Sequence, residues 1–218
     1  MRRRNGSLDS TVLSEGRNRT KAQVRLIRLD GETVVEKDYS ARGLIIRTLI
    51  GPRLLDREQR ALDRLQEVRG VPCFRQRPSR DRLIMERLAG RPLNTYPEDS
   101  DGSSLPPDFF LRLRRLTRRV HREGVTQGDI GAGDVLVLID GSPGLVDFSV
   151  SVQENGGRLN AWLFRTAVHQ DMRRIARLHQ RFSPSSLDED EERILMHETT
   201  THRWSRRLRD LVPGRRRA

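Results

Sequence analysis

The sequence predicts an α+β chain in two parts. An N-terminal antiparallel β-sheet half carries one main helix, and a reduced, mainly helical half follows it. Three observations lead there. Residues 11–39 alternate apolar and polar side chains, with the two-residue hairpin signal Asp30-Gly31 inside the run. Residues 107–122 and 161–182 instead repeat apolar side chains every three or four positions, the period of a helix with one buried face. Between these regimes, residues 94–106 collect Asn, Pro, Asp, Gly and Ser, the composition of a linker. A length of 218 residues and a mass of 25.2 kDa suit one compact domain or two small lobes around a cleft.

The elements follow in chain order. Residues 1–10 read as a basic tail, and 11–93 as the first lobe. Strands are expected at 11–14, 22–29 and 32–39, with a turn at 16–19. Gly51-Pro52 reads as a break before a helix starting near Leu54 and closed by Gly70. On that helix Glu58, Ala61, Leu62 and Leu65 fall on one face. Two further strands, 71–77 and 82–88, flank a turn at Pro78-Ser79-Arg80-Asp81. The second lobe is expected over 107–212. Its first helix buries a stripe of Phe109, Leu113, Leu116 and Val120. Short strands at 134–139 and 144–150 surround the turn Asp140-Gly141-Ser142-Pro143, helices cover 161–182 and 187–211, and residues 213–218 form a second basic tail.

Composition narrows the function classes. There are 42 basic and 30 acidic residues, a net charge of +12, so the protein's field favours anionic partners. The single cysteine, Cys73, excludes a disulfide framework and a cysteine-rich zinc cluster. No apolar run reaches the length of a membrane span, and the arginine-rich start leads into no signal-peptide core, so a cytoplasmic protein is expected. Only ten residues are aromatic, and none alternates with arginine along a strand as a base-stacking platform requires. That disfavours a nucleic-acid binder. Among the basic residues only Lys21 and Lys37 are lysines. In so arginine-rich a chain, each lysine raises the question of whether chemistry there needs a compact ammonium rather than a planar guanidinium.

The densest chemical signal is VHREGVTQGDIGAGDVLVLIDGSPGLVDFSVSV, residues 120–152. A helix ends at Val120-His121 and Gly124, a loop presents Asp129, a strand opens at Asp134, and the returning strand ends on Asp147-Phe148-Ser149. Hairpin pairing brings Asp134 and Asp147 together, where hard carboxylate oxygens suit Mg²⁺ bridged to phosphates. This spacing resembles, without a gap, the catalytic segment of the protein-kinase-like superfamily. The first lobe carries the matching parts: Lys37 on the third strand in Val34-Val35-Glu36-Lys37, and Glu58 on the helix that follows. Met85-Glu86-Arg87-Leu88 resembles the hinge between lobes.

The resemblance covers roughly residues 11–182 and implies specific roles. Lys37 paired with Glu58 would grip the phosphates of ATP. Asp134 and Asp147 would ligate Mg²⁺ or Mn²⁺, and Asp129 would orient the acceptor hydroxyl and take its proton. Met85 is the implied gatekeeper, with Glu86 and Leu88 meeting the adenine through their backbone. Only residues 148–160 separate Asp147 from the expected helix, with no Ala-Pro-Glu sequence, so a peptide-binding platform has little room. On that ground the chain resembles the small atypical kinases, the RIO type and the bacterial lipopolysaccharide-core (Kdo and heptose) kinases, and Asp171 would buttress the catalytic loop. The implied acceptor is a protein Ser/Thr or a sugar of an anionic glycolipid, with peripheral contact to an anionic membrane surface. Three positions depart from the family pattern: Gln127 stands for histidine, Asp134 for asparagine and Ser149 for glycine. An inactive, ATP-binding regulator is the rival these departures raise.

Overall fold

The computed structural model describes residues 11–14, 22–98 and 105–196; both basic tails, the turn at 16–19 and the chain beyond 196 lie outside the described residues. An antiparallel sheet is built from β1 (Thr11–Ser14), β2 (Gln23–Leu29), β3 (Glu32–Asp38), β4 (Phe74–Ser79) and β5 (Arg82–Glu86), in the order β1-β2-β3-β5-β4. A smaller sheet joins β6 (Gly90–Pro92), β7 (Val135–Leu138) and β8 (Pro143–Leu145) in sequence order. The helices are α1 (Gly51–Arg64), α2 (Phe109–Arg122), α3 (Arg158–Phe182) and α4 (189–196).

The hairpin signal works as its chemistry requires. Asp30 and Gly31 both take left-handed φ, 50° and 86°, the geometry that matches the twist of the flanking strands. This sets the β2–β3 register, and Lys37 pairs with Val24 on one side and Leu83 on the other. Alternation along β3 then sends Lys37 to the face that carries Val35, while Val34 joins Ile27 and Ile84 on the opposite face. The main core is continuous through both halves: Leu55 and Leu62 of α1, Leu83 and Met85 of β5, Phe109 and Leu113 of α2, Leu145 of β8 and Phe148 belong to one cluster. The stripe expected on α2 is buried throughout.

Several local expectations change in the fold. Gly51-Pro52 does not break the helix. Residues 44–50 are already helical, Ile46–Ile50 as a π-helical turn, and they run directly into α1. Pro52 is the second residue of α1, where the π-helical turn gives way to the α-helix. Gly51 is required by packing, since a Cβ there would lie 2.7 Å from Tyr39 Cγ. α1 ends at Arg64 rather than near Gly70. Gly70, at φ +93°, turns the chain so that its carbonyl accepts from the Leu145 N–H at 2.8 Å. β4 begins at Phe74 and keeps Pro78 within the strand, at a register shift, so the turn shortens to Arg80-Asp81. β7 and β8 are shorter than the sequence suggests, and α3 starts earlier, at Arg158.

Two glycines separate backbone strain from close packing. Both Gly31 and Gly70 have positive φ, but a Cβ at Gly31 meets nothing within 4 Å, whereas at Gly70 it meets the Pro143 carbonyl at 2.8 Å. Gly31→Ala should cost about 1–2 kcal/mol, the left-handed penalty alone. Gly70→Ala should cost about 1–3 kcal/mol more because backbone must shift. Urea unfolding of the two variants tests this, and equal losses would contradict the close approach at Gly70.

Candidate active site

Three charged side chains from distant parts of the chain meet at one point, with Lys37 and Glu58 buried and Asp147 half-buried. Lys37 Nζ donates to Glu58 Oε1 at 2.6 Å and Oε2 at 2.9 Å, and to Asp147 Oδ1 at 2.8 Å. Each element delivers its group by its own periodicity. β3 places Lys37 by alternation, and α1 places Glu58 on the face that buries Leu55, Ala61 and Leu62. The Phe148 N–H adds a bond to Glu58 Oε1 at 3.2 Å, while the Phe148 ring is fully buried in the core. Burial works against the Lys37 ammonium, yet the Asp147 and Glu58 carboxylates outweigh it and hold the lysine above its ordinary range. Burial pushes the Glu58 carboxyl up, opposed by the Lys37 charge. Asp147 lies well below the usual carboxylate range, chiefly because of the Lys37 ammonium.

Asp147 also has an uncommon backbone. Its φ of +64° is left-handed, a region that Asp tolerates better than most side chains, and its surroundings hold it there. Those surroundings are the buried Phe148 on one side and Ser149 on the other. Ser149, the glycine replacement, donates through Oγ to Asp147 Oδ1 at 2.7 Å. All the hydrogen bonds to this carboxylate among the described residues fall on Oδ1, leaving Oδ2 for a cation.

The loop bearing Asp129 is held by two side chains. Asp171, fully buried on α3, accepts from the Gln127 N–H at 2.9 Å and the Gly128 N–H at 3.0 Å, and His121 Nε2 lies 3.0 Å from it. This is the buttress that the sequence resemblance implied. Gln127 spans the site: its amide nitrogen donates to the carbonyls of Val146 (3.1 Å) and Asp147 (2.9 Å), and its amide oxygen accepts from the Asp129 N–H at 2.8 Å. The amide thereby ties the loop to the Asp147 segment. Gly128 is obligatory, at φ +92° with a virtual Cβ 2.6 Å from the Val150 carbonyl. The segment after Asp147 returns along the loop, pairing Thr126 with Val152 and Val125 with Gln153.

Asp134 opens β7. Its carbonyl accepts from the Val146 N–H at 2.9 Å, so it neighbours the approach to Asp147, and its carboxylate accepts from the Gly131 N–H at 3.0 Å. Among the described residues no three His, Cys, Asp or Glu side chains converge as a metal cluster. A cation on Asp134 and Asp147 would therefore complete its shell from phosphate oxygens and water, the usual manner of Mg²⁺. Met85 is buried at the end of β5, and Glu86 to Leu88 lead from the large sheet to β6. The Glu86 carboxylate turns back to accept from the Cys73 N–H at 3.0 Å, so that side chain is held away from the connection to β6.

The sequence analysis named Ser149 only as a departure and gave Arg174 no role: Ser149 donates to Asp147, and Arg174 forms an ion pair with Asp129 through Nη1. The second was signalled by spacing alone, since Arg174 stands three residues after Asp171 and so on the same face of α3.

No protein-family model matches this sequence, and no curated protein matches it. Solved structures do. The Rio2 kinase from Chaetomium thermophilum superposes with a TM-score of 0.55 at 17% identity, over 80% of this chain and 60% of that one. Its complex with ADP, Mg²⁺ and phosphoaspartate gives 0.55 at 18%, over 80% and 56%. This chain thus spans less than two thirds of the length of those kinases. Their likeness and the element order agree on a protein-kinase-like α+β fold.

Removing the buttress should be costly. Asp171→Ala would leave the buried Gln127 amide and the neighbouring Gly128 amide without an acceptor, a loss of about 2–5 kcal/mol. Urea unfolding reads the loss, and hydrogen exchange at the two amides locates it. Unchanged protection at Gln127 and Gly128 would refute the buttress.

Proposed function

We propose that this protein is an ATP-dependent kinase that transfers the γ-phosphoryl group to a hydroxyl acceptor. The Lys37–Glu58–Asp147 contact carries the reading. An ammonium so placed, with one carboxylate fixing it and a second able to turn to a cation, is what gripping a polyphosphate requires. The departures from the family pattern leave every charged group in place. Gln127 braces the loop, Asp134 keeps an oxygen donor, and Ser149 adds a hydrogen bond. That favours turnover over the rival reading of an inactive nucleotide-binding regulator.

In this reading Lys37, oriented by Glu58, holds the phosphates, and backbone between Glu86 and Leu88, beside Met85, receives the adenine. Asp134 and Asp147 would hold Mg²⁺, which when bound would supply charge neutralisation for the transferred group. Asp129 orients the acceptor hydroxyl and takes its proton. The acceptor oxygen forms a bond to the γ-phosphorus as the bond to the β–γ bridging oxygen breaks, giving ADP and a phosphorylated acceptor. That the Rio2 neighbour has been crystallised with ADP and Mg²⁺ supports the nucleotide and the metal. The short segment between Asp147 and α3 supports a sugar of an anionic glycolipid over a protein Ser/Thr. An exposed apolar patch, Leu44, Ile45, Leu49 and Ile50, flanked by Arg47 and Arg53, supports peripheral contact with an anionic membrane face. Among the described residues no helix is long and apolar enough to cross a membrane.

Turnover of γ-labelled ATP by purified protein with Mg²⁺ tests the mechanism. Asp147→Ala should abolish it, and Asp129→Ala should lower it by about 10²–10⁴, both variants keeping wild-type circular dichroism. Wild-type rates in either variant would refute the assignment. Ser149→Ala should raise the Mg²⁺ concentration giving half-maximal turnover by about 2–10-fold, one hydrogen bond's worth of carboxylate positioning. A metal titration unchanged in that variant would remove Ser149 from the site.

A further inference from the structure

The Asp129 carboxylate has a partner that the phosphotransfer roles above do not use. Asp171 and Arg174 lie one turn apart on α3 and reach the same loop: Asp171 takes its backbone amides, and Arg174 Nη1 donates to Asp129 Oδ1. The Asp129 side chain is 69% exposed and that of Arg174 35%. An ion pair this open to water is screened and contributes little to stability. What it determines is place. A hydroxyl giving its proton to Asp129 must come within about 3 Å of a carboxylate oxygen. The guanidinium is bonded to that same carboxylate, so it lies on the order of 5 Å from the reacting oxygen.

A guanidinium is a planar fork of donors suited to phosphate and carboxylate oxygens. Arg174 spends one nitrogen on Asp129, and its other nitrogens donate to nothing else among the described residues. We infer that Arg174 is an acceptor-binding residue: one arm holds Asp129, and the remaining donors take an anionic group on a polyol acceptor, within a few bonds of the hydroxyl to be phosphorylated. The acceptor class follows from the surroundings. The segment after Asp147 folds back along the catalytic loop through Val125, Thr126, Val152 and Gln153, so the surface that would align a peptide is reduced. A compact anionic polyol, free or as a lipid headgroup, fits what remains. The inference rests on the phosphotransfer reading and narrows its substrate.

Glycerol 3-phosphate, glycerol and phosphatidylglycerol vesicles serve as probes, titrated calorimetrically into protein saturated with ADP and Mg²⁺ so that the nucleotide's own phosphate positions are filled. Saturable binding of glycerol 3-phosphate, of the vesicles, or of both is expected, and none of glycerol. Arg174→Met should weaken it by about tenfold or more, the loss of a charge-assisted hydrogen bond. Arg165→Met, which removes an exposed arginine from the same helix, should leave it unchanged. Arg174-dependent binding of the free phosphate alone points to a soluble acceptor, and of the vesicles alone to a lipid-linked one. Equal affinity in Arg174→Met, an equal loss in Arg165→Met, or no saturable binding of either anionic probe overturns the inference. Failure of the phosphotransfer reading shows separately, as absence of ADP–Mg²⁺ binding before any probe is added, and Arg174-dependent anion binding is then measured without nucleotide.

Discussion

Burying an ammonium is expensive, and the architecture around Lys37 is arranged to make that burial tolerable. The effective desolvation penalty for an ion in a protein interior is several kcal/mol, recovered only when partners are close and well aligned. Lys37 has two carboxylates within 2.9 Å, and one of them, Glu58, is itself fully buried and bonded to the Phe148 amide. The three partners belong to β3, α1 and the segment after β8. Neither β3 nor α1 can shift without stranding a buried charge. The contact therefore sets the position of the main helix against the sheet, and the half-buried Asp147 joins it from the segment after β8.

That same contact prepares Asp147. Lys37 and Ser149 both donate to Oδ1, so the carboxylate is oriented from one side, kept ionised, and left able to act through Oδ2. The left-handed backbone at Asp147 is the local cost, offset by the burial of Phe148 in the core. A backbone of this kind is held by its neighbours, and here a buried ring and a hydroxyl do so.

The loop bearing Asp129 depends on a second anchor, α3, which contributes Asp171 to the backbone of the loop and Arg174 to its carboxylate. Gln127 links the two anchors, since one amide group contacts Val146, Asp147 and Asp129. A histidine ring offers two nitrogens at a fixed angle, whereas an amide offers a donor and an acceptor on a flexible stem. The Gln127 amide thus braces the loop against the Asp147 segment through both its donor and its acceptor.

Much of this was legible in the residues. Alternation and the Asp30-Gly31 turn predicted β2 and β3, helical periodicity predicted α1, α2 and α3, and the kinase-like pattern on the third strand, with the scarcity of lysine, singled out Lys37. These signals are local: a side-chain period or a turn's backbone demand is written within a few positions. Gly51 and Gly70 were misread because a glycine required by a neighbouring ring or carbonyl looks, in sequence, like a glycine required by a turn. The partners of Asp147 and Asp129 stand 110 and 45 residues away, and no local pattern records which side chain will arrive there. The sequence by itself determined the elements, their order and the charged groups available for chemistry. Only the tertiary structure decided that Lys37, Glu58 and Asp147 meet at one point and that Arg174 faces Asp129, because contacts across such separations are selected by packing of the whole core.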